Sequence, residues 1–371
     1  MKNTACILFI LISIISAVFF SCAPTSIDKD KEREIVMASV GYDYSFFLEI
    51  NGNLWAVGQN SYGQLGDGSL VNKKTPVRIM ENVKAVNTGS VTSFILKTDN
   101  ILWAIGRNDA GQLGDGTLID KKTPTQIFTD VKSVAVGIGH TLILKNDNTL
   151  WATGSNGAGQ LGDGSKIDKI KPIQIMSDVK AIAAGGRHSL IIKVDNSLWV
   201  VGYNYFGGLG DGTEAHKYAP VKIMADVKEV AAGFLHSLIL KQDNSLWSTG
   251  SNSEGQLGDG TLIDKRTPVQ IMTDVKSISA GYYHSLIVKT DNSLWVTGMN
   301  DNGQLGDSTN INRMKPKKIM NDVKNVTAGR SHTLIIKADN SLWAVGNNKY
   351  GQLGDNDTIN RKIAVKIALP K

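Results

Sequence analysis

Cysteine is almost missing from this chain: Cys6 and Cys22 are the only two among 371 residues, and both stand near the start. The body of the protein therefore has no disulfides and must be held by its core alone. A dominant charge is missing as well. Forty Lys and Arg face 34 Asp and Glu, a formal charge of +6, with both signs scattered along the chain. No basic stripe or run marks one segment, which removes the electrostatic footprint of a nucleic-acid binder. Proline is scarce, with eight residues, whereas 38 glycines point to many turns.

The N-terminus departs from the rest. Lys2 precedes an apolar run from Ala5 to Phe20, then Ser21-Cys22-Ala23 and a polar stretch. An apolar core of about fifteen residues behind a positive start is too short for a comfortable span and reads as a secretory signal. Cys22 stands where bacterial lipoprotein signals place the lipidated cysteine; Ser21 and Cys22 resemble that pattern, and Phe19 departs from its usual leucine. The expectation is a signal peptide over residues 1–22 with lipidation at Cys22, then a flexible tether over 23–34. An exported protein follows, membrane-anchored in the bacterial cell envelope or secreted. An ordinary signal peptide or an uncleaved anchor is the other reading.

The stretch Gly255-Gln-Leu-Gly-Asp-Gly-Thr261 has the look of a phosphate loop, but "GQLG" or "GGLG" recurs seven times, and no helical pattern follows it. A phosphate loop needs the N–H groups of a helix start. The motif belongs instead to a repeat. Tryptophan occurs only at 55, 103, 151, 199, 247, 295 and 343, each 48 residues after the last. Pro76, Pro124, Pro172, Pro220, Pro268 and Pro316 keep the same spacing, as do His140, His188, His236, His284 and His332. The units are 35–82, 83–130, 131–178, 179–226, 227–274, 275–322 and 323–370.

Each unit carries four strand signals. In the sixth, "VKSISAG", "HSLIVK", "SLWVTG" and "KPKKIM" are short Val/Ile/Leu runs bounded by Gly and Asx turns. We label them strands A to D. The fourth begins at proline, which suits a sheet edge. Strands apolar on both faces lie between other sheets, and seven such sheets around an axis bury one Trp per gap. An open solenoid would need polar end units, whereas the first and last units keep Trp55 and Trp343. The expected fold is therefore all-β, a seven-bladed propeller, with the possibility left open that strand D is exchanged between blades at closure.

The Gly-x-x-His-Ser/Thr-Leu of strands A and B, Asp-Asn-Ser-Leu-Trp, and Gly-x-Asn-x-x-Gly-Gln-Leu-Gly followed by Pro resemble the regulator of chromosome condensation family of seven-bladed propellers. The likeness covers residues 35–370. It implies action through protein contacts made by face loops, as in the family's nuclear exchange factors, ubiquitin-pathway proteins and a bacterial inhibitor of β-lactamases. The signal segment and the even units, which leave no inserted wedge, speak against nucleotide exchange.

Residues common to most blades are read as structure. The histidines lie in separate blades and cannot converge on one ion, so they are expected to hydrogen-bond at blade contacts. Asp259 and its equivalents offer one carboxylate per loop, short of the six to eight oxygens calcium takes. No cofactor, metal or catalytic residue is expected.

Function must break the symmetry. Units differ at the two residues between strands A and B and at those just before "GQLG". Antiparallel order puts both places on one face. Tyr42, Tyr62, Tyr203, Tyr205, Phe206, Phe234, Tyr282, Tyr283 and Tyr350 crowd one sector of that face, with Arg187 and Arg330 among them. Tyr and Arg are enriched at binding hot spots. The sequence thus describes a monomeric, non-catalytic binding scaffold for an envelope, secreted or host protein or peptide, an inhibitor-like role included. Glycan binding by the same aromatics is an alternative. A further one is an enzyme using Glu214 and His216, the only ionisable cluster that breaks the repeat.

Overall fold

A computed structural model describes residues 34–370. The signal segment, Cys22 and nearly all of the tether lie outside the described residues. Within them the chain forms seven four-stranded antiparallel sheets, each running A-B-C-D in sequence order. In the first, strand A is Ile35–Val40, B is Tyr44–Glu49, C is Leu54–Gly58 and D is Lys73–Met80. Strand B, "YSFFLE", is buried along its whole length because it sits inside the sheet with a blade against each face. Strand D is the most exposed and carries the prolines.

Asx residues make the turns, as their tolerance of the left-handed region allows. Asn148 ends a B–C turn at φ 64° and Asp178 a D–A turn at φ 60°. Asp147 locks the B–C turn by accepting from the Thr149 N–H at 2.9 Å.

Strand D stays in its own blade. The last sheet consists of Val323–Ala328, His332–Lys337, Leu342–Gly346 and Arg361–Ile367, all from one unit. Closure is by packing, with Leu334, Ile336 and Ala344 of the last unit against Ile35, Val40 and Phe47 of the first. Every other core cluster likewise straddles two neighbouring units; Phe46, Leu48 and Leu54 meet Val83, Val86 and Ile95, for example. Seven equal interfaces leave no seam for an exchanged strand to seal.

Each Trp is half-buried over such an interface. Its ring N–H donates to the hydroxyl two residues earlier, as from Trp151 to Thr149 at 3.0 Å and from Trp199 to Ser197 at 2.9 Å. Units one and two have Asn53 and Ile101 at that place, and the Trp55 and Trp103 donors are buried without a partner. Supplying the acceptor by Ile101→Thr is expected to raise stability by about 0.5–1 kcal/mol, since an orphaned buried donor costs more than a bond gains. Urea unfolding checks this; a fall in the midpoint would show that the lost Ile101 packing outweighs the bond.

Candidate functional site

The two variable places do share a face: the strand C exit bonds the A–B turn, as from the Gln59 N–H to the Asp43 carbonyl at 2.8 Å and from Met299 to Tyr283 at 2.8 Å. The A–B turns close tightly around the axis because each begins with a glycine. At Gly41, Gly89, Gly137, Gly185, Gly233, Gly281 and Gly329 the position a Cβ would take is 2.4–2.8 Å from the carbonyl oxygen of the next glycine, round to Gly41 again. They surround an axial channel of about 310 Å³.

The residue after each glycine stands at the channel mouth: Tyr42, Ser90, Ile138, Gly186, Phe234, Tyr282 and Arg330. Three aromatics and Arg330 are neighbours on one side of this ring, and Ser90, Ile138 and Gly186 make up the other. Phe234 lies on Gly186, where a Cβ would come within 2.6 Å of its ring. Tyr282 stacks on Phe234 with centroids 3.8 Å apart at 11°. Tyr42 and Tyr283 meet Tyr282 edge-on at 5.3 and 4.7 Å. The Arg330 guanidinium lies 5.4 Å from the Tyr42 ring and 5.8 Å from that of Tyr282. Burial, then the neighbouring Tyr282 hydroxyl, raises the Tyr42 hydroxyl beyond its ordinary range despite Arg330. Asp43, buried behind it, is likewise raised by desolvation against the pull of Arg330 and Lys349. The mouth thus offers aromatic area edged by one guanidinium.

The aromatics expected in one sector fall into separate groups. Tyr203, Tyr205 and Phe206 lie on the C–D loop of unit four, where Tyr205 and Phe206 meet edge-on at 5.2 Å and Tyr203 lies 4.6 Å from the His216 ring. No ring contact among the described residues joins this group to the channel mouth. Tyr62 receives the Arg107 guanidinium at 5.3 Å, and Tyr350 the Lys349 ammonium at 5.3 Å. The division follows from the blade: A–B turns reach the axis, while C–D loops run outward to strand D. Arg187 is exposed beside Gly186. Arg107 and its partner Asp109, 2.5 Å away, were not singled out from the sequence. They stand in the variable register before "GQLG", and only the search for aromatics passed over them.

Glu214 and His216 do not form a base and its orienter. Glu214 pairs with Arg266 of the next blade at 2.7 Å. His216 Nδ1 accepts the Asn204 N–H at 3.2 Å, the place taken by Asp120, Asp168 or Asp264 in other loops. It is a loop anchor of altered type.

The strand B histidines join blade to blade. His140, His188 and His236 Nε2 lie 3.0 Å from the hydroxyls of Ser189, Ser237 and Ser285, and His332 closes the ring at 2.9 Å from Ser45. Each serine donates its one proton to a carbonyl, as Ser189 does to Gln160 at 2.7 Å. It must then accept from the imidazole, which fixes a proton on Nε2, and burial of the ring keeps it neutral. Desolvation holds His140 down to about 3. Among the described residues no group of three or more His, Cys, Asp or Glu could hold a metal.

The "GQLGDG" loop is held by its own blade and by the next, where the Gly260 N–H donates to the Met314 carbonyl at 2.8 Å. Asn252 donates to Asp259 at 3.0 Å and accepts the Leu257 N–H at 3.0 Å, and Asp259 accepts the Thr261 N–H at 2.9 Å and pairs with Lys265. Every group a phosphate or a calcium ion would need is already engaged.

With this geometry in place, the comparisons with known proteins agree on one architecture. A model of the RCC1-like domain matches residues 176–371. Models of the regulator of chromosome condensation repeat match 51–96, 99–144 and 147–192, and a second such model matches 131–160. No curated protein matches the chain. Among solved structures, human WBSCR16 is similar at 19% identity over 86% of this chain and 94% of its own, with a TM-score of 0.78. Saccharomyces cerevisiae Prp20p, studied for its binding to Gsp1p and histones, is similar at 25% identity over 80% of each chain, with a TM-score of 0.72. From strand order, repeat and matched segments alike, the chain belongs to the regulator of chromosome condensation (RCC1) repeat family.

Proposed function

We propose that this protein is a non-catalytic scaffold, exported to the cell envelope, that holds a protein or peptide partner on its variable face. The observation that carries the reading is the broken symmetry at the channel mouth. On a frame repeated seven times, the same position holds Phe234, Tyr282, Tyr42 and Arg330 on one half and Ser90, Ile138 and Gly186 on the other. Half-buried aromatics beside a cation are the composition of a binding hot spot. Prp20p, similar in fold, is a protein with protein partners, Kap60 among them.

An N-terminal anchor would join the propeller through Glu34. Glu34 sits on the opposite, uniform side, its carbonyl accepting the Ile50 N–H at 2.9 Å and its carboxylate the Asn340 amide at 2.8 Å.

The double variant Tyr282→Ala/Tyr283→Ala tests the reading. Capture of an envelope or host protein should fall at least tenfold, while the melting temperature changes by only a few degrees. Full capture by the folded variant rejects the proposed face. Glycan binding is the second reading, favoured by Tyr205, 61% exposed on the outer group. Sugar binding that Tyr205→Ala abolishes would establish it.

A further inference from the structure

The aromatic wall ends at Phe234, and beyond Gly186 the surface falls away into a notch of about 170 Å³. Arg107, Asp109, Gly139, Ser155 and Arg187 border it. The notch exists because side chains are missing: a Cβ on Gly139 would touch only the Ser155 Cβ, at 3.4 Å. Its volume is below the roughly 300–1,000 Å³ of small-molecule sites, so its size suits one side chain of a larger partner.

Its charge is specific. Two guanidinium groups face one carboxylate, and Asp109 is already bonded to Arg107 at 2.5 Å. Arg187 is exposed, and no side-chain hydrogen bond, ion pair or ring contact engages it among the described residues. Arg330, in contrast, is laid across two rings. A free guanidinium presents a fork of donors matched to a carboxylate, and a partner segment laid over the notch would exclude water from the pair.

We propose that the notch receives an aspartate or glutamate side chain of the partner, paired with Arg187, while an adjacent apolar residue of the same segment packs on Phe234 and Tyr282. This rests on the variable face being the binding surface, and it narrows the partner to a protein segment of acidic-apolar sequence.

A displayed library of random dodecapeptides, selected on the immobilised full-length protein, tests it. Enriched peptides should carry Asp or Glu next to a large apolar residue. Arg187→Ala should weaken the best of them ten- to a hundredfold at an unchanged melting temperature. The same peptide with Asn or Gln in place of its acid should lose as much against the unaltered protein and nothing further against Arg187→Ala. Enriched peptides without an acid, or indifferent to Arg187→Ala, overturn the carboxylate site. If those peptides are still lost on Tyr282→Ala, the binding face itself stands. If they ignore both variants, or no peptide is enriched, both readings fall.

Discussion

Acidification from pH 6.5 to 4.5 should unfold this protein with the uptake of about five protons. His140, His188, His236, His284 and His332 are fully buried and neutral, and desolvation, reinforced for three of them by a neighbouring histidine, holds each at about 3 or 4 against an ordinary 6.5. In the unfolded chain each binds a proton below 6.5, and in the folded chain it does not. Stability is therefore complete above pH 6.5 and is lost as pH falls toward 4. One group contributes about 1.4 kcal/mol per pH unit, so five give a slope of about 7 kcal/mol per unit at its steepest. Over two units this comes to about 10 kcal/mol, comparable to the roughly 5–15 kcal/mol that holds most domains together. Asp43 and Glu229, raised by desolvation, act in the opposite sense, two groups against five. Below about pH 4 the loop carboxylates add to the loss. Asp163, held at about 2, against its desolvation, by Ser165, Asn156 and Lys169, loses that stabilisation as it is protonated. Urea unfolding at a series of pH values measures the slope directly. Uptake of fewer than two protons between pH 6.5 and 4.5 would contradict the neutral histidine ring. His236→Gln should lower stability at pH 7 and reduce the slope by one proton.

The second large effect is steric and comes as a matched pair. Gly233→Ala would place a methyl group 2.2 Å from the His236 ring and 2.7 Å from the Gly281 carbonyl. Both are fixed, one by its bond to Ser285 and the other by the next blade. Neither can retreat without displacing the ring of turns, so a loss of more than about 4 kcal/mol is expected, in the exceptional class for one substitution. Gly157→Ala is the counterpart. It lies in a C–D loop with no atom within 4 Å of the added Cβ and no left-handed φ. There the same methyl group should stabilise by about 0.4–1 kcal/mol, by restricting the unfolded chain. Thermal and urea unfolding of the two variants decides the matter; similar effects in both would mean that the glycine ring is not closely packed.

Much of this was legible in the amino-acid sequence because a repeat states its constraints seven times over. The 48-residue period of Trp, Pro and the strand B histidines is enough to define the blades and to assign those residues to structure. The histidines' role as blade contacts could be expected, but not their partner. Four of them reach the residue 49 positions on, in the next unit, and His332 reaches Ser45 of the first, which only the stacking of blades brings near. The variable residues were also legible as variable, yet not as separate groups. Tyr205 and Tyr282 are equivalent in kind and lie on the same face, but one belongs to a loop running to the rim and the other to a turn pinned at the axis.

The sequence by itself determined the architecture, since period, strand alternation and Asx turns are local properties that each unit carries whole. Only the tertiary structure decided that the ring closes by side-chain packing without strand exchange, that Glu214 pairs with Arg266 and His216 bonds Asn204, and that Arg187 stands unpaired beside the gap at Gly139. Ring closure and the Glu214–Arg266 pair depend on which units become neighbours around the axis, whereas the His216–Asn204 bond depends on how one C–D loop folds back on itself. In the first two a side chain's partner is set by the neighbouring blade, and nothing in its own stretch of chain records it.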